Sequence, residues 1–433
     1  IKFLVPIFIS VFFVINFDTV FAYEIGTHAF LTDEVIKFYN QNFPNNKIPD
    51  ELKDYLIDGS RREDDPPRWM NHFFDPVYNR GLEYDPRTAD PLKPRVVFGT
   101  WQKSKDWAQD SNNQTKLKYS PIIATILSSW QSKIIQKYFP TSDFTWEEAI
   151  RYWVQGNREM AMFSLGHILH LIEDASVSDH TRNDDHPGDS PYENYTSQFN
   201  LTNLDKNLSN RLTNRTPVVL ADLNSYFDEL ARYSNSGFYS KDTIGIQSGY
   251  DSPQFDFIIA TKDGTFAVKE DKEVSNYFLY RKIGGDSYFI ENKSTITLKD
   301  DRVNSDYWSR LSTKSIQYGA GVINLFFQEV EKARNDPNFA KAEDKSFFAK
   351  AVDAVKNLAG QVGDFFSGTF QNNQGFQPAG QVSLDSSMSQ ETQSEIVQPT
   401  GQTKINESQN NQSQAQQVQS QTQKFDSSSK LQK

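Results

Sequence analysis

The sequence predicts a mainly α-helical domain that carries a small β-rich insertion and ends in a disordered C-terminal tail. Three observations lead there. Apolar residues recur at helical spacing through most of the first 335 positions. One stretch, about 239–301, changes to strand-like runs around an Asp-Gly turn signal. After Gly368 the composition becomes Gln, Ser, Asn and Thr with few aromatics, too polar to bury a core.

In chain order, Phe30, Val35, Ile36 and Tyr39 mark a first helix over 27–40. A second helix starts near Glu51, with Pro49 in its first turn. Residues 59–81, broken by Pro66, Pro67 and Pro76, read mostly as loop. A helix follows over 121–138, and Thr145-Trp146-Glu147-Glu148 reads as a capping box opening another. Residues 157–174 form the most apolar long helix, with Met160, Leu165, Ile168, Leu169 and Ile172 surrounding its axis, which implies burial on most sides. Helices are expected again over 218–233 and 307–334. Between them, the runs on either side of Lys262-Asp263-Gly264 predict a hairpin with Asp-Gly in the turn, and Tyr288-Phe289-Ile290 reads as further strand. Residues 336–368 read as an amphipathic helical extension and 369–433 as the disordered tail; no solenoid repeat is present.

Composition narrows the function. With 45 Lys+Arg against 56 Asp+Glu the net charge is -11, which argues against a broad nucleic-acid-binding face. There is no cysteine, so disulfides, thiolate ligands and a cysteine nucleophile are excluded, and any metal must be held by His, Asp, Glu or backbone groups. Lys2, the apolar run over 3–17 and Val20-Phe21-Ala22 read as a signal peptide cleaved after Ala22. The expected product is a secreted protein whose main domain spans 23–335 and starts at Tyr23; an uncleaved anchor is the alternative.

All six histidines precede residue 187: His28, His72, His167, His170, His180 and His186. His170 and Asp174 are four apart on the apolar helix, share one face and can grip one ion. Two polar side chains in so apolar a helix are costly unless something compensates them, and a metal would. His180 is expected on a loop just past the helix end, while His167, one turn before His170, suits packing or support better than ligation. Asp184, His186, Asp189 and Glu193 add donors downstream, and Glu63-Asp64-Asp65 followed by His72 adds more upstream.

Together these residues resemble the zinc-dependent phospholipase C family and the related S1/P1-type nucleases. The landmarks are Gly26-Thr27-His28; residues 59–64 followed by His72-Phe73-Phe74-Asp75-Pro76; His170-x3-Asp174-x5-His180; and Tyr192-Glu193-Asn194. The resemblance runs over about 23–334 and implies a multi-helix phospholipase C/P1 nuclease-like domain with two or three zinc ions. It implies that Tyr23 binds zinc through its amino group and carbonyl oxygen beside His28, with Asp174 bridging to a second zinc. That second ion would take Asp64, His72 and His170, and the third would take His180, a later histidine and Glu193. Zinc would lower the pKa of bound water so that hydroxide attacks phosphorus near neutral pH, with Asp64 as the catalytic group that orients or deprotonates the water. Two departures stand out: Tyr23 where the family usually has Trp, and Asp189 where a histidine is expected four residues before Glu193, leaving His186 or Asp189 to complete the third site.

The expected activity is zinc-dependent hydrolysis of phospholipids at a membrane surface or micelle. The alternatives are a single-strand nuclease or nucleotidase, the only reading in which nucleic acid is a partner, and a zinc-stabilised surface binding module without catalysis. No protein partner is implied.

Overall fold

The computed structural model describes residues 24–65, 68–83, 101–115, 143–186, 188–245, 248–271, 275–284, 292–336 and 339. The expected leader, Tyr23, the helix expected over 121–138, the Tyr288-Phe289-Ile290 run, the extension expected over 336–368 (apart from 336 and 339) and the expected tail lie outside them. The described part is mainly helical with one small sheet. None of its helices is long and apolar enough to cross a membrane.

Helix α1 spans Ile25–Asn42 and α2 spans Asp50–Arg62. Asp50 and Glu51 in the first turn of α2 and Arg61 and Arg62 in its last complement the helix dipole at both ends. Pro49 stands at the N-cap, just before the first turn where the sequence put it. Beyond α2 the chain is loop around a 3-10 turn, Arg68–Asn71. Two single turns come next, α3 (Ser104–Trp107) and α4 (Ser111–Gln114), then α5 (Trp146–Val154) and α6 (Arg158–Asp174). Every residue of α6 from Met160 to Asp174 is buried, as its unbroken apolar perimeter requires.

The capping box expected at α5 does not form. Thr145 does sit at the N-cap, but its hydroxyl donates to Asp143 Oδ1 at 2.8 Å, a charged acceptor two residues upstream. Glu148 lies instead 3.1 Å from Arg151 Nη1.

Short helices α7 (Ser178–Thr181), α8 (Pro191–Thr196) and α9 (Leu208–Leu212) lead to α10, Leu223–Gly237. Helix α10 starts five residues later than the apolar pattern suggests, because Asp222 caps it by accepting from Ser225 N at 3.0 Å. Residue 218 is drawn away, its N–H donating to Gln317 O at 3.0 Å. Helix α11, Asp301–Arg334, is the longest at 34 residues and starts earlier than expected, capped by Asp300. It packs against α1, α5, α6 and α10, so a single apolar core joins the helices.

The insertion is an antiparallel meander of four strands in sequential order: β1 Phe257–Thr261, β2 Gly264–Lys269, β3 Tyr277–Lys282 and β4 Ile296–Thr297. Its hairpin turn lies one position earlier than the Asp-Gly signal implies. Thr261 pairs with Gly264, so Lys262 and Asp263 make the turn and Gly264, at φ +145°, opens β2. The sheet packs through β3 on α11.

One contact positions the residues that carry the histidines. Helices α2 and α6 meet backbone to backbone at Gly59 and Gly166. A Cβ at Gly59 would fall 2.0 Å from Phe163 O, and one at Gly166 would fall 2.2 Å from Leu56 O. Only residues without side chains permit that approach.

Candidate metal centre

The close approach of α2 and α6 puts the Ser60 carbonyl 2.7 Å from His170 Nδ1. A carbonyl can only accept, so Nδ1 carries the hydrogen and Nε2 keeps its lone pair. The same arrangement recurs around the site. His72 Nε2 donates to the Glu63 carbonyl at 3.1 Å, leaving Nδ1 as acceptor. His28 Nδ1 lies 2.6 Å from Glu173 Oε2, and Thr32 fixes the other oxygen of that carboxylate at 2.8 Å. His180 Nδ1 faces the His72 carbonyl at 3.4 Å, and His186 Nδ1 faces the Asp184 carbonyl. Each of these five rings is held from outside by one nitrogen and turns the other inward.

The inward atoms form two neighbouring sets. In the first, His170 Nε2 and His72 Nδ1 stand 3.2 Å apart with both protons committed elsewhere. Asp174 Oδ2 lies 3.2 Å from His170 Nε2 and 3.0 Å from His72 Nδ1, and Asp174 Oδ1 lies 3.4 Å from His28 Nε2. Asp64 Oδ1 approaches His72 and His170 at 3.7 and 3.6 Å. The set yields two overlapping donor groups, His28–His170–Asp174 and Asp64–His72–His170, all buried. In the second set, Glu193 Oε1 lies 3.4 Å from His180 Nε2 and 2.9 Å from His186 Nε2. Ser190 accepts from Glu193 N at 3.1 Å and Pro191 opens α8, which fixes the first turn that presents this carboxylate.

These donors fit a cation. Both oxygens of Asp64 and of Asp174, Nε2 of His180 and of His186, and Glu193 Oε1 are buried without a hydrogen-bond donor aligned on them. Leaving that many acceptors buried together is unfavourable unless positive charge sits among them. Ligands around a tetrahedral zinc, each about 2.0–2.1 Å from it, stand about 3.3 Å apart, close to the separations here.

The buried donors strongly perturb one another's ionisation. Burial raises the Asp64 carboxyl to about 7 despite the pull of His170 and His28. Burial, reinforced by His170, lowers His72 to about 4. Burial would lower His28 as well, but the carboxylates of Asp174 and Glu173 beside it override that and carry it up to about 10. Asp174 resists its burial and stays well below the usual range because His170, His180 and His72 surround it.

The structure brings together His28, Asp64, His72, His170 and Asp174 in one set and His180, His186 and Glu193 in the other. Of the two candidates left by the sequence for the third site, His186 reaches Glu193, while Asp189 turns away to Lys241 and joins no donor group among the described residues. His180 lies within the short helix α7 rather than on a loop, its ring stacked on Phe73 at 4.2 Å. His167 stays out of the centre, bonded to Glu63 and stacked on Phe144 at 4.2 Å.

Two residues support the centre in roles that the sequence did not assign them: Glu63, expected among the donors, and Glu173. Glu63 accepts from Trp107 Nε1 and Arg68 Nε, each at 2.7 Å, and anchors the loop that carries Asp64 and His72. Burial would raise its pKa, but Arg68 and His167 hold it well below the ordinary value. Glu173 does the corresponding work for His28. The signal was a repeated dipeptide, Glu63-Asp64 and Glu173-Asp174, in which the Asp faces the centre and the Glu holds a histidine. A further buried group, Asp179, Asp184 and His186, was likewise not anticipated as a unit.

No family model matches the sequence, and no curated protein does. Among solved structures, the alpha-toxin of Clostridium perfringens from an avian strain aligns with TM-score 0.34 and 17% identity over 73% of this chain and 66% of that one. The alpha toxin of Clostridium absonum aligns with TM-score 0.35 and 15% identity over 72% and 66%. The chain thus spans 66% of the length of each toxin it aligns with. Likeness at this distance leaves the chemistry to be read from the site itself.

Proposed function

We propose that the protein is a secreted zinc-dependent phosphoric diester hydrolase of the phospholipase C type, acting on phospholipids. The observation that carries the reading is the inward aim of five histidines, each fixed by an outward hydrogen bond, onto carboxylates that meet no donor of their own. Such a set is preorganised to bind a cation. The choice of phospholipid over nucleic acid rests on the His72-Phe73-Phe74-Asp75-Pro76 landmark and the net charge of -11.

His28, His170 and Asp174 would hold one zinc, with Tyr23 through its backbone; Asp64, His72, His170 and Asp174 a second; His180, His186 and Glu193 a third. Bound zinc supplies Lewis acidity to the phosphoryl group and brings the pKa of water down to about 7. The chain's own residues supply position. Asp174 lies between the rings of His28, His72 and His170, and can serve two groups at once. Asp64, with no donor on either oxygen, is placed to accept a proton from water or to orient it. Glu173 and Glu63 keep the rings in one tautomer.

The test is a chromogenic phosphocholine diester, a phosphatidylcholine emulsion and single-stranded DNA, each presented to zinc-loaded and chelator-treated protein. Hydrolysis of the first two, lost on chelation and restored by zinc, is the expected result. Cleavage confined to DNA would replace the substrate assignment, and zinc binding without turnover on any of the three would replace enzyme with binding module.

A further inference from the structure

The sheet of the insertion has two edges of unlike character. Strand β4 is only two residues long, so its edge is blunted by its shortness. Strand β1 is five residues long, and among the described residues only β2 bonds to its main chain. All of β1 except Ile258 is exposed, with Phe257 at 36% and Ile259 at 40%. Ile258 packs against the core.

An edge strand normally carries a charge, a proline or a bulge that stops another strand from adding to it. Phe257-Ile258-Ile259-Ala260-Thr261 has neither charge nor proline, and the irregularity at Ala267 and Val268 lies in the β2–β3 ladder instead. The register shows which main-chain groups are left over. Thr261 and Gly264 flank a two-residue turn and so form a bonded pair. Bonded and non-bonded pairs alternate along an antiparallel ladder. Ile259 is therefore bonded to Phe266, while Ile258 and Ala260 turn their N–H and C=O groups outward from the sheet.

The strand is complementary to its own reverse about Ile259. With a two-fold axis there, Ile258 faces Ala260 of a second copy, Phe257 faces Thr261 and Asp256 faces Lys262. The axis repeats each pair. Opposite charges and aromatic–β-branched pairs directly across two antiparallel strands are favourable. In the same register each outward N–H of Ile258 and Ala260 finds an outward carbonyl. Both charged ends are open to such a neighbour. Lys262 is exposed and forms no ion pair among the described residues. Asp256 meets Glu270 N at 2.8 Å and Lys269 at 3.4 Å, both through Oδ2.

We propose that the protein pairs with a second copy of itself through β1, joining two four-stranded sheets into one continuous antiparallel sheet. The contact is short, below the roughly 1,000 Å² of a permanent interface. A net charge of -11 on each copy opposes it further. The dimer is therefore reversible and forms in the micromolar range. Nothing in it depends on the metal centre or on the hydrolase reading.

The experiment is sedimentation velocity of the full chain from about 1 to 100 µM, run beside Ile259→Lys and Lys262→Glu. Both positions are exposed, so neither substitution disturbs the core. Ile259→Lys sets like charges against each other on the axis, and Lys262→Glu makes both end pairs repulsive. Each is expected to weaken dimerisation at least about tenfold. The register is read separately. The chain has no cysteine, so Ile259→Cys introduces a single thiol. It would meet its own copy with Cα atoms about 4.5 Å apart, within disulfide reach. Mild oxidation should join Ile259→Cys into a covalent dimer and leave Val219→Cys, exposed but outside the sheet, monomeric. A wild type that stays monomeric throughout, a dimer unmoved by both charge variants, or equal cross-linking of the two cysteine variants overturns the proposal.

Discussion

The two donor sets are built differently. The inner one stands on long elements: His28 on the 18-residue α1, His170 and Asp174 on the 17-residue α6, and Asp64 just past the 13-residue α2. The outer one stands on short elements, with His180 in a four-residue helix, Glu193 in a six-residue helix and His186 in the loop between them. Three of the five inner donors, His28, His170 and Asp174, are set by helices locked through the core, while Asp64 and His72 ride on the loop that Glu63 anchors. Outer positions depend on local bonds, such as Phe74 N to His180 O at 3.2 Å and the Ser190 cap on Glu193 at 3.1 Å. In the outer set His186, seven residues before Glu193, is the histidine that reaches it, at 2.9 Å.

The difference can be broken at its strongest point first. His170 belongs to both inner groups. His170→Ala is expected to remove most inner-set zinc and to lower turnover by at least about a thousandfold; zinc analysis, phosphodiester turnover and circular dichroism check it together. Gly166→Ala attacks the same set from behind by forcing α2 off α6. It should destabilise the fold by about 3 kcal/mol or more, read as a lowered denaturation midpoint, because a Cβ there meets backbone rather than a movable side chain.

The outer set should yield smaller losses. His186→Ala is expected to cost one zinc per chain and about ten- to a hundredfold in activity, whereas Asp189→Asn should leave zinc content unchanged because Asp189 is engaged with Lys241. Equal zinc loss in the two variants would show that Asp189, not His186 alone, completes the outer set.

Outside both sets, Glu148 touches stability alone. Burial raises its carboxyl from 4.5 to about 7, outweighing the opposing pull of Arg151 3.1 Å away. The folded state therefore holds a proton that the unfolded state releases between those values, and stability falls as pH rises through that window, by no more than about 3 kcal/mol. Glu148→Gln should lose this decline, seen by comparing denaturation midpoints of variant and wild type at pH 5 and pH 8.

The same contrast explains what could be read in the sequence. Helices α1, α2 and α6 announced themselves through apolar periodicity, and the His170–Asp174 spacing needs only helical geometry to become a shared face. The outer set was legible as residue types but not as a choice, since nothing in the spacing of His186, Asp189 and Glu193 says which side chain a Lys241 from 52 residues later will claim. Thr145 and the hairpin at Gly264 failed for related reasons: a neighbouring Asp143 outcompeted the cap, and the strand register, not the dipeptide, placed the turn. The α2–α6 contact was invisible because a glycine that serves close packing looks, in one sequence, like any other.

The outward hydrogen bonds of the five histidines also bear on the order of assembly. Rings whose tautomers are already chosen need no rotation when an ion arrives. Should the centre bind metal as proposed, its donors would be ready before the ion, and the supply of metal rather than movement of the rings would set when it fills.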